Sequence, residues 1–198
     1  MNNNLSPRTV KMVLLAILAA IMLILAFTPL GYLKVGIIEI SFMMVPVAVG
    51  AIVLGPAAGA VLGGVFGITS FIQALTTSPF GAMLISINPF YTFILCMIPR
   101  ILMGWLAGLV FQWLYKNDKT KIISYGTASL SAALFNTIFF MTFLILLFGN
   151  TDYIKGFQGN MSILAFVVAF VGINGLVEAI ATTIIGGAVS RALIVYRQ

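Results

Sequence analysis

The sequence predicts an all-α, polytopic membrane protein with six transmembrane helices and both termini in the cytoplasm. Three observations carry this prediction. Hydrophobic residues make up 62% of the 198-residue chain and charged residues 7%, whereas a soluble domain is about 25% charged and could not cover its surface with so few. The apolar residues fall into stretches near the roughly 20 residues that a spanning helix needs. Finally, the basic residues lie almost all on one side of those stretches.

The six helices are read over 8–28, 39–54, 56–75, 88–115, 122–148 and 162–195, forming one membrane domain over 1–198. The first follows the charged start "MNNNLSPRTVKM". Because "FTPLGYLKVG" offers no small-x-small cleavage site, it is read as a mature helix and not as a signal peptide. The second is short. At "LGP" (54–56), Gly55 suits a helix C-cap and Pro56 the first position of the third helix. Asn88 and Pro89 suit the cap and first turn of the fourth. The sixth is long enough to tilt or to extend past the bilayer.

The positive-inside rule sets the orientation. Arg8, Lys11, Lys116, Lys119, Lys121, Arg191 and Arg197 then face the cytoplasm, and only Lys34 and Lys155 face out. The connections at 29–38, 76–87 and 149–161 lie outside. They are long and rich in Gly, Pro, Thr and Tyr, the usual material of binding loops, although solvated linkers share that composition.

Composition also excludes functions. The net charge of +6 comes from scattered residues with no aromatic-interleaved patch, so nucleic acid is not an expected partner. There is no histidine and a single cysteine, Cys96, which leaves no His- or Cys-rich metal site and no internal disulfide. Cys96 reads as inert packing. Gly59, Gly63 and Gly67 recur every four residues, a spacing that lets helix backbones approach closely. No Gly-Lys-Ser/Thr follows them, so they form no phosphate loop. No cofactor is expected, and any energy for moving solute must enter elsewhere.

Polar groups inside the membrane are costly and therefore informative. They are Arg100 in the fourth helix, Asn136 in the fifth, and Asn174 and Glu178 in the sixth. Arg100, Asn136 and Asn174 each sit about 12 residues from the outer end of their helix, roughly 18 Å deep. Glu178 lies one turn beyond Asn174 on the same face. Two readings stay open for Arg100: an ion pair with Glu178 that locks two helices, or a pocket opening outward in which Glu178 orients the guanidinium toward a ligand. Gln73 ends the third helix and Asn88 and Tyr91 begin the fourth, all near this layer. Asn88 could serve as the helix cap alone. Tyr32, Phe80 and Tyr91 line a pocket or sit in the interfacial aromatic belt, and Trp105 reads as packing.

Several blocks resemble the substrate-binding S-components of energy-coupling factor (ECF) vitamin transporters. They are Ala16 and Ala20 in helix one, "TPLGYLKVGIIEISFMMVPVAVGAIVLGPAAGAVLGGVFGITSF" (28–71) and "NPFYTFILCMIPRILMGW" (88–105). The resemblance spans essentially the whole chain and is strongest to the pantothenate branch. It implies a six-helix subunit in a bacterial cell membrane, binding a vitamin from outside through its first and third outer connections and helices four to six. That subunit would turn in the bilayer against a transmembrane coupling subunit driven by two ATPase subunits. Ala16 and Ala20 resemble the family's Ala-x-x-x-Ala docking element. Pantothenate offers a carboxylate for bidentate contact with Arg100, and hydroxyls and an amide for Asn136 and Asn174. A cobalamin precursor is the alternative vitamin. From other classes, a passive channel would need a polar stripe that helices one to three lack. A membrane-embedded enzyme would have only Glu178 to work with.

Overall fold

The computed structural model describes residues 6–28, 31–35, 38–118 and 122–197. Of Pro7, residues 32–40, Ile173, Tyr196 and Arg197 it describes the backbone at most. The chain is a helical bundle: α1 (Pro7–Ala26), α2 (Met44–Leu54), α3 (Pro56–Thr76), α4 (Pro79–Ile87), α5 (Pro89–Asn117), α6 (Ile123–Phe148), α7 (Asp152–Gln158), α8 (Ile163–Ala181), a π-helical turn (Thr182–Gly186) and α9 (Gly187–Arg197). Between α1 and α2 stands an antiparallel hairpin of β1 (Tyr32–Val35) and β2 (Ile38–Ser41), with Tyr32 opposite Ser41.

Five helices are long and apolar enough to cross a membrane, and six if the segments 152–158 and 163–172, bent by 87° to one another, count as one broken span. Large apolar side chains on the outside agree with this: Leu146 is 74% exposed, Leu164 75% and Trp113 68%. Trp105, expected as packing, also faces outward at 45%. Such a surface fits lipid and not water.

Helices α1, α3, α5 and α6 match the expected spans closely. The others correct them. The helix expected over 39–54 starts at Met44, because 38–41 pair as a strand with 32–35. What remains, α2, is 11 residues, roughly 17 Å long, and is buried on all sides from Pro46 to Ile52. A helix that is apolar all round belongs inside a bundle. The connections 76–87 and 149–161, expected outside the membrane, also hold helices, α4 and α7. Ser78 Oγ accepts from the Gly81 amide and Thr151 Oγ1 from the Ile154 amide, so each helix has its own N-cap. The long sixth span breaks at Gly172 (φ 33°) and again at the π-helical turn.

The turn at Gly55 is as expected: φ 103° there requires glycine, and Pro56 opens α3. The glycine stripe serves the α3–α5 crossing. A Cβ on Gly59 would strike the Gly104 carbonyl and one on Gly63 the Arg100 carbonyl, while one on Gly67 would lie 2.8 Å from the Cys96 carbonyl. Helix α3 therefore lies directly on the backbone that carries Arg100. Backbone cannot move aside as a side chain can, so Gly63→Ala should destabilise the protein by about 1–3 kcal/mol. Gly64→Ala, whose Cβ would meet only Ile101 at 3.9 Å, should be neutral. Melting temperatures of the two variants in detergent check this.

Candidate binding cavity

The fourth span is apolar enough for lipid, yet carries an arginine that cannot deprotonate. The residue before it explains how the fold accommodates this. Pro99 lies inside α5 and has no amide hydrogen, which leaves the carbonyl four residues earlier without its helical donor. That carbonyl belongs to Leu95, and Arg100 Nη1 donates to it at 2.6 Å. The guanidinium carbon also lies 4.9 Å from the Phe140 ring centroid and 5.4 Å from that of Phe66, within cation–π range of both. Arg100 is thus 9% exposed, flanked by aromatic rings, with one nitrogen satisfying the helix.

Arg100 lines a cavity of about 150 Å³. Each helix contributes at helical intervals. Helix α3 gives Phe66, Ser70, Gln73 and Ala74; α5 gives Thr92, Leu95, Cys96 and Arg100; α6 gives Asn136, Thr137 and Phe140; α8 gives Phe170, Val171, Asn174, Gly175 and Glu178. The α4 region adds Ser78, Phe80, Gly81 and Leu84, and the end of the hairpin adds Ser41. The polar side chains of α5, α6 and α8 expected at one depth do converge on one space.

Two polar atoms in this wall have no partner among the described residues: Arg100 Nε, a donor, and Asn136 Oδ1, an acceptor. Gln73 is partly committed, with Nε2 donating to the Ala26 carbonyl at 2.8 Å and tying α3 to the end of α1. Among the described residues no hydrogen bond or ion pair joins Arg100 to Glu178. Glu178 Oε1 instead accepts from the Ser41 amide at 2.7 Å. Both side chains face one cavity, each held by backbone, so of the two readings the locking ion pair does not form among the described residues.

The remaining expected site residues lie elsewhere. Asn88 Oδ1 caps α5 by accepting from the Tyr91 amide at 3.0 Å, and Tyr91 is 40% exposed with its ring edge-on to Phe148. Neither lines the cavity. Tyr32 opens β1, and its side chain falls outside the described residues. Cys96, expected as inert packing, is buried in the cavity wall. Ser70, Thr92 and Thr137 were not anticipated, although a signal existed: Ser70 precedes Gln73 by one turn, Thr92 precedes Arg100 by two, and Thr137 follows Asn136. Ala16 and Ala20 are exposed on α1. The helix buries only Met22 and Ala26 fully and packs through Leu15, Leu18, Ala19 and Leu25.

Above the polar layer the lining is aromatic. Phe80 lies 5.4 Å from Phe170 and 6.0 Å from Tyr153, and Phe157 lies 6.0 Å from Phe170. This cluster joins α4, α7 and α8, and its Phe80 and Phe170 line the cavity. The connection 76–87 therefore lines the site with Ser78, Phe80, Gly81 and Leu84, and the hairpin with Ser41.

Comparison with known proteins shows the family of this chain. The sequence model of the family described as "ECF transporter, substrate-specific component" matches residues 10–186. The Pantothenate transporter PanT of Leuconostoc mesenteroides subsp. mesenteroides is 32% identical, over 98% of this chain and 95% of its own. The Pantothenic acid transporter PanT of Lactococcus lactis subsp. cremoris is 30% identical, over 77% of this chain and 76% of its own.

Proposed function

We propose from one premise, that this chain belongs to the substrate-specific component family of ECF transporters, that it captures pantothenate at the cavity around Arg100. It is a multi-pass membrane transport subunit and not an enzyme. In the proposed topology the chain crosses a bacterial cell membrane six times, with both termini in the cytoplasm. It delivers the vitamin by reorienting against a transmembrane coupling subunit driven by two ATPase subunits, docking through Ala16 and Ala20.

The observation that carries the reading is the pair of unpartnered atoms in one buried cavity, Arg100 Nε and Asn136 Oδ1. A buried polar atom without a partner costs free energy unless a ligand supplies one. Arg100 asks for an acceptor, and a carboxylate suits it best. Asn136 asks for a donor, which a hydroxyl or an amide N–H provides. Asn174 and Gln73 extend the same wall, and the apolar lining from Leu84, Phe170 and Val171 accepts alkyl groups. Pantothenate has each of these parts, and both relatives are named for carrying it.

The deciding experiment is equilibrium binding of radiolabelled pantothenate to the protein purified in detergent, with other vitamins as competitors. Saturable binding that only pantothenate displaces supports the reading. Displacement by a cobalamin precursor instead, or solute flux through the isolated protein, would replace it. Within this frame Asn136→Ala should weaken binding by about 1–3 kcal/mol, roughly fivefold to 150-fold in Kd. Its melting temperature without vitamin should not fall, because the variant removes an unmet acceptor. Unchanged affinity would place the ligand's donor elsewhere.

A further inference from the structure

Glu178 is a buried carboxylate in the cavity wall, 9% exposed, and the reading above gives it no task. Its hydrogen bond among the described residues runs to backbone: Oε1 accepts from the amide of Ser41, 137 residues earlier in the chain, at 2.7 Å. Ser41 ends β2, is itself 6% exposed, and lines the cavity. Its hydroxyl accepts from the Met43 amide at 3.3 Å, at the start of α2. The end of the hairpin is therefore held on one side by the first turn of α2 and on the other by a side chain of α8. A carboxylate is the strongest neutral-pH acceptor available for a lone amide, and out of water such a bond is stronger than in it. Arg100 faces the same cavity without touching Glu178, so the carboxylate is not consumed by an ion pair.

We propose that Glu178 is a positioning residue: through the Ser41 amide it straps the end of the β1–β2 hairpin to α8, and so sets how long bound ligand stays in the cavity. It acts through the hairpin and makes no ionic contact with the ligand.

Two variants separate strap from contact. Glu178→Gln keeps a side-chain oxygen able to accept from Ser41 while removing the charge, and Glu178→Ala removes both. Hydrogen exchange at the Ser41 amide in the ligand-free protein reads the strap directly and does not depend on which vitamin is bound. Dissociation of radiolabelled pantothenate reads its consequence and rests on the proposed function. In Glu178→Ala, exchange at Ser41 and the dissociation rate should both rise about tenfold or more. In Glu178→Gln both should stay within about threefold of the unmodified protein. Unchanged exchange at Ser41 in Glu178→Ala overturns the strap. So does Glu178→Gln losing affinity tenfold while its Ser41 amide stays protected, which would make Glu178 a direct ligand contact. If Glu178→Ala does not accumulate as folded protein, Glu178→Gln decides: protection and residence time kept together support the strap, and their separation overturns it. If the unmodified protein binds no pantothenate, the proposed substrate fails, while the exchange measurement still reports on the strap.

Discussion

A protein carrying Pro99→Ala and Arg100→Ala together is expected to fold in detergent and to bind almost no pantothenate. The two substitutions must be made together because Arg100 has two tasks. Its Nη1 occupies the Leu95 carbonyl that Pro99 leaves without a donor, so Arg100→Ala alone exposes a buried acceptor at a cost of about 1–3 kcal/mol. That single variant should melt lower, and its weak binding could then be blamed on a damaged helix. Replacing Pro99 as well returns an amide hydrogen to the Leu95 carbonyl, and the helix closes normally. What remains missing is the free edge of the guanidinium. Losing one partner of a buried charge-assisted contact costs about 2–5 kcal/mol, roughly thirty- to several-thousand-fold in Kd. Pro99→Ala alone should bind normally. Arg100→Lys should bind poorly despite its charge, since an ammonium offers neither the planar fork nor the flat face that Phe66 and Phe140 hold. Calorimetric melting beside radioligand binding checks all four variants. Normal affinity in the double variant would move the ligand's acidic group away from Arg100.

How much of this was legible beforehand follows from what each residue costs in a membrane. The polar layer is readable because Arg100, Asn136, Asn174 and Glu178 are too expensive to place in lipid without purpose, and the distances of the first three along the chain give a common depth, with Glu178 one turn beyond. The spans of α1, α3 and α5 are readable because each is one apolar run opened by a proline, as at Asn88-Pro89, and α6 because its apolar run follows the charged stretch at 115–121 and ends at Gly149. The hairpin was not. The stretch "VGIIEIS" is apolar and β-branched, and beside an apolar helix it cannot be told from a helical start by hydropathy alone. That error hid Ser41, the partner of Glu178. The breaks at Gly172 and 182–186 were hidden for a related reason. Hydropathy is continuous through 162–195, and a bend there is set by packing against neighbours, not by local polarity. The aromatic walls contributed by Phe66, Phe140 and Phe170 are ordinary apolar residues in sequence. Only the tertiary arrangement adds these three of the chain's 16 phenylalanines to Phe80 in the lining.

Transport should be separable from binding at the exposed strip of α1. With Ala16→Trp and Ala20→Trp together, pantothenate affinity should stay within about threefold of the unmodified protein, and ATP-dependent uptake by cells should be lost. Both alanines are exposed, as are Val13, Ile17 and Ile24 around them. Two indoles there should meet lipid and not the bundle, which α1 contacts through Leu15, Leu18, Ala19 and Leu25. Among the described residues none of α1 lines the cavity. The link between them is the Ala26 carbonyl held by Gln73, six residues past Ala20 and roughly 9 Å along the helix. Small residues one turn apart let a second helix come close, and two indoles on that strip hold it off. Co-purification of the coupling subunit and its ATPases should therefore disappear along with uptake. Normal uptake by the double variant would place docking on another face. Lost binding would mean that α1 supports the cavity through Gln73 more stiffly than its exposure suggests. A protein that fails to accumulate would mean that the two alanines pack inside the subunit, which their exposure argues against.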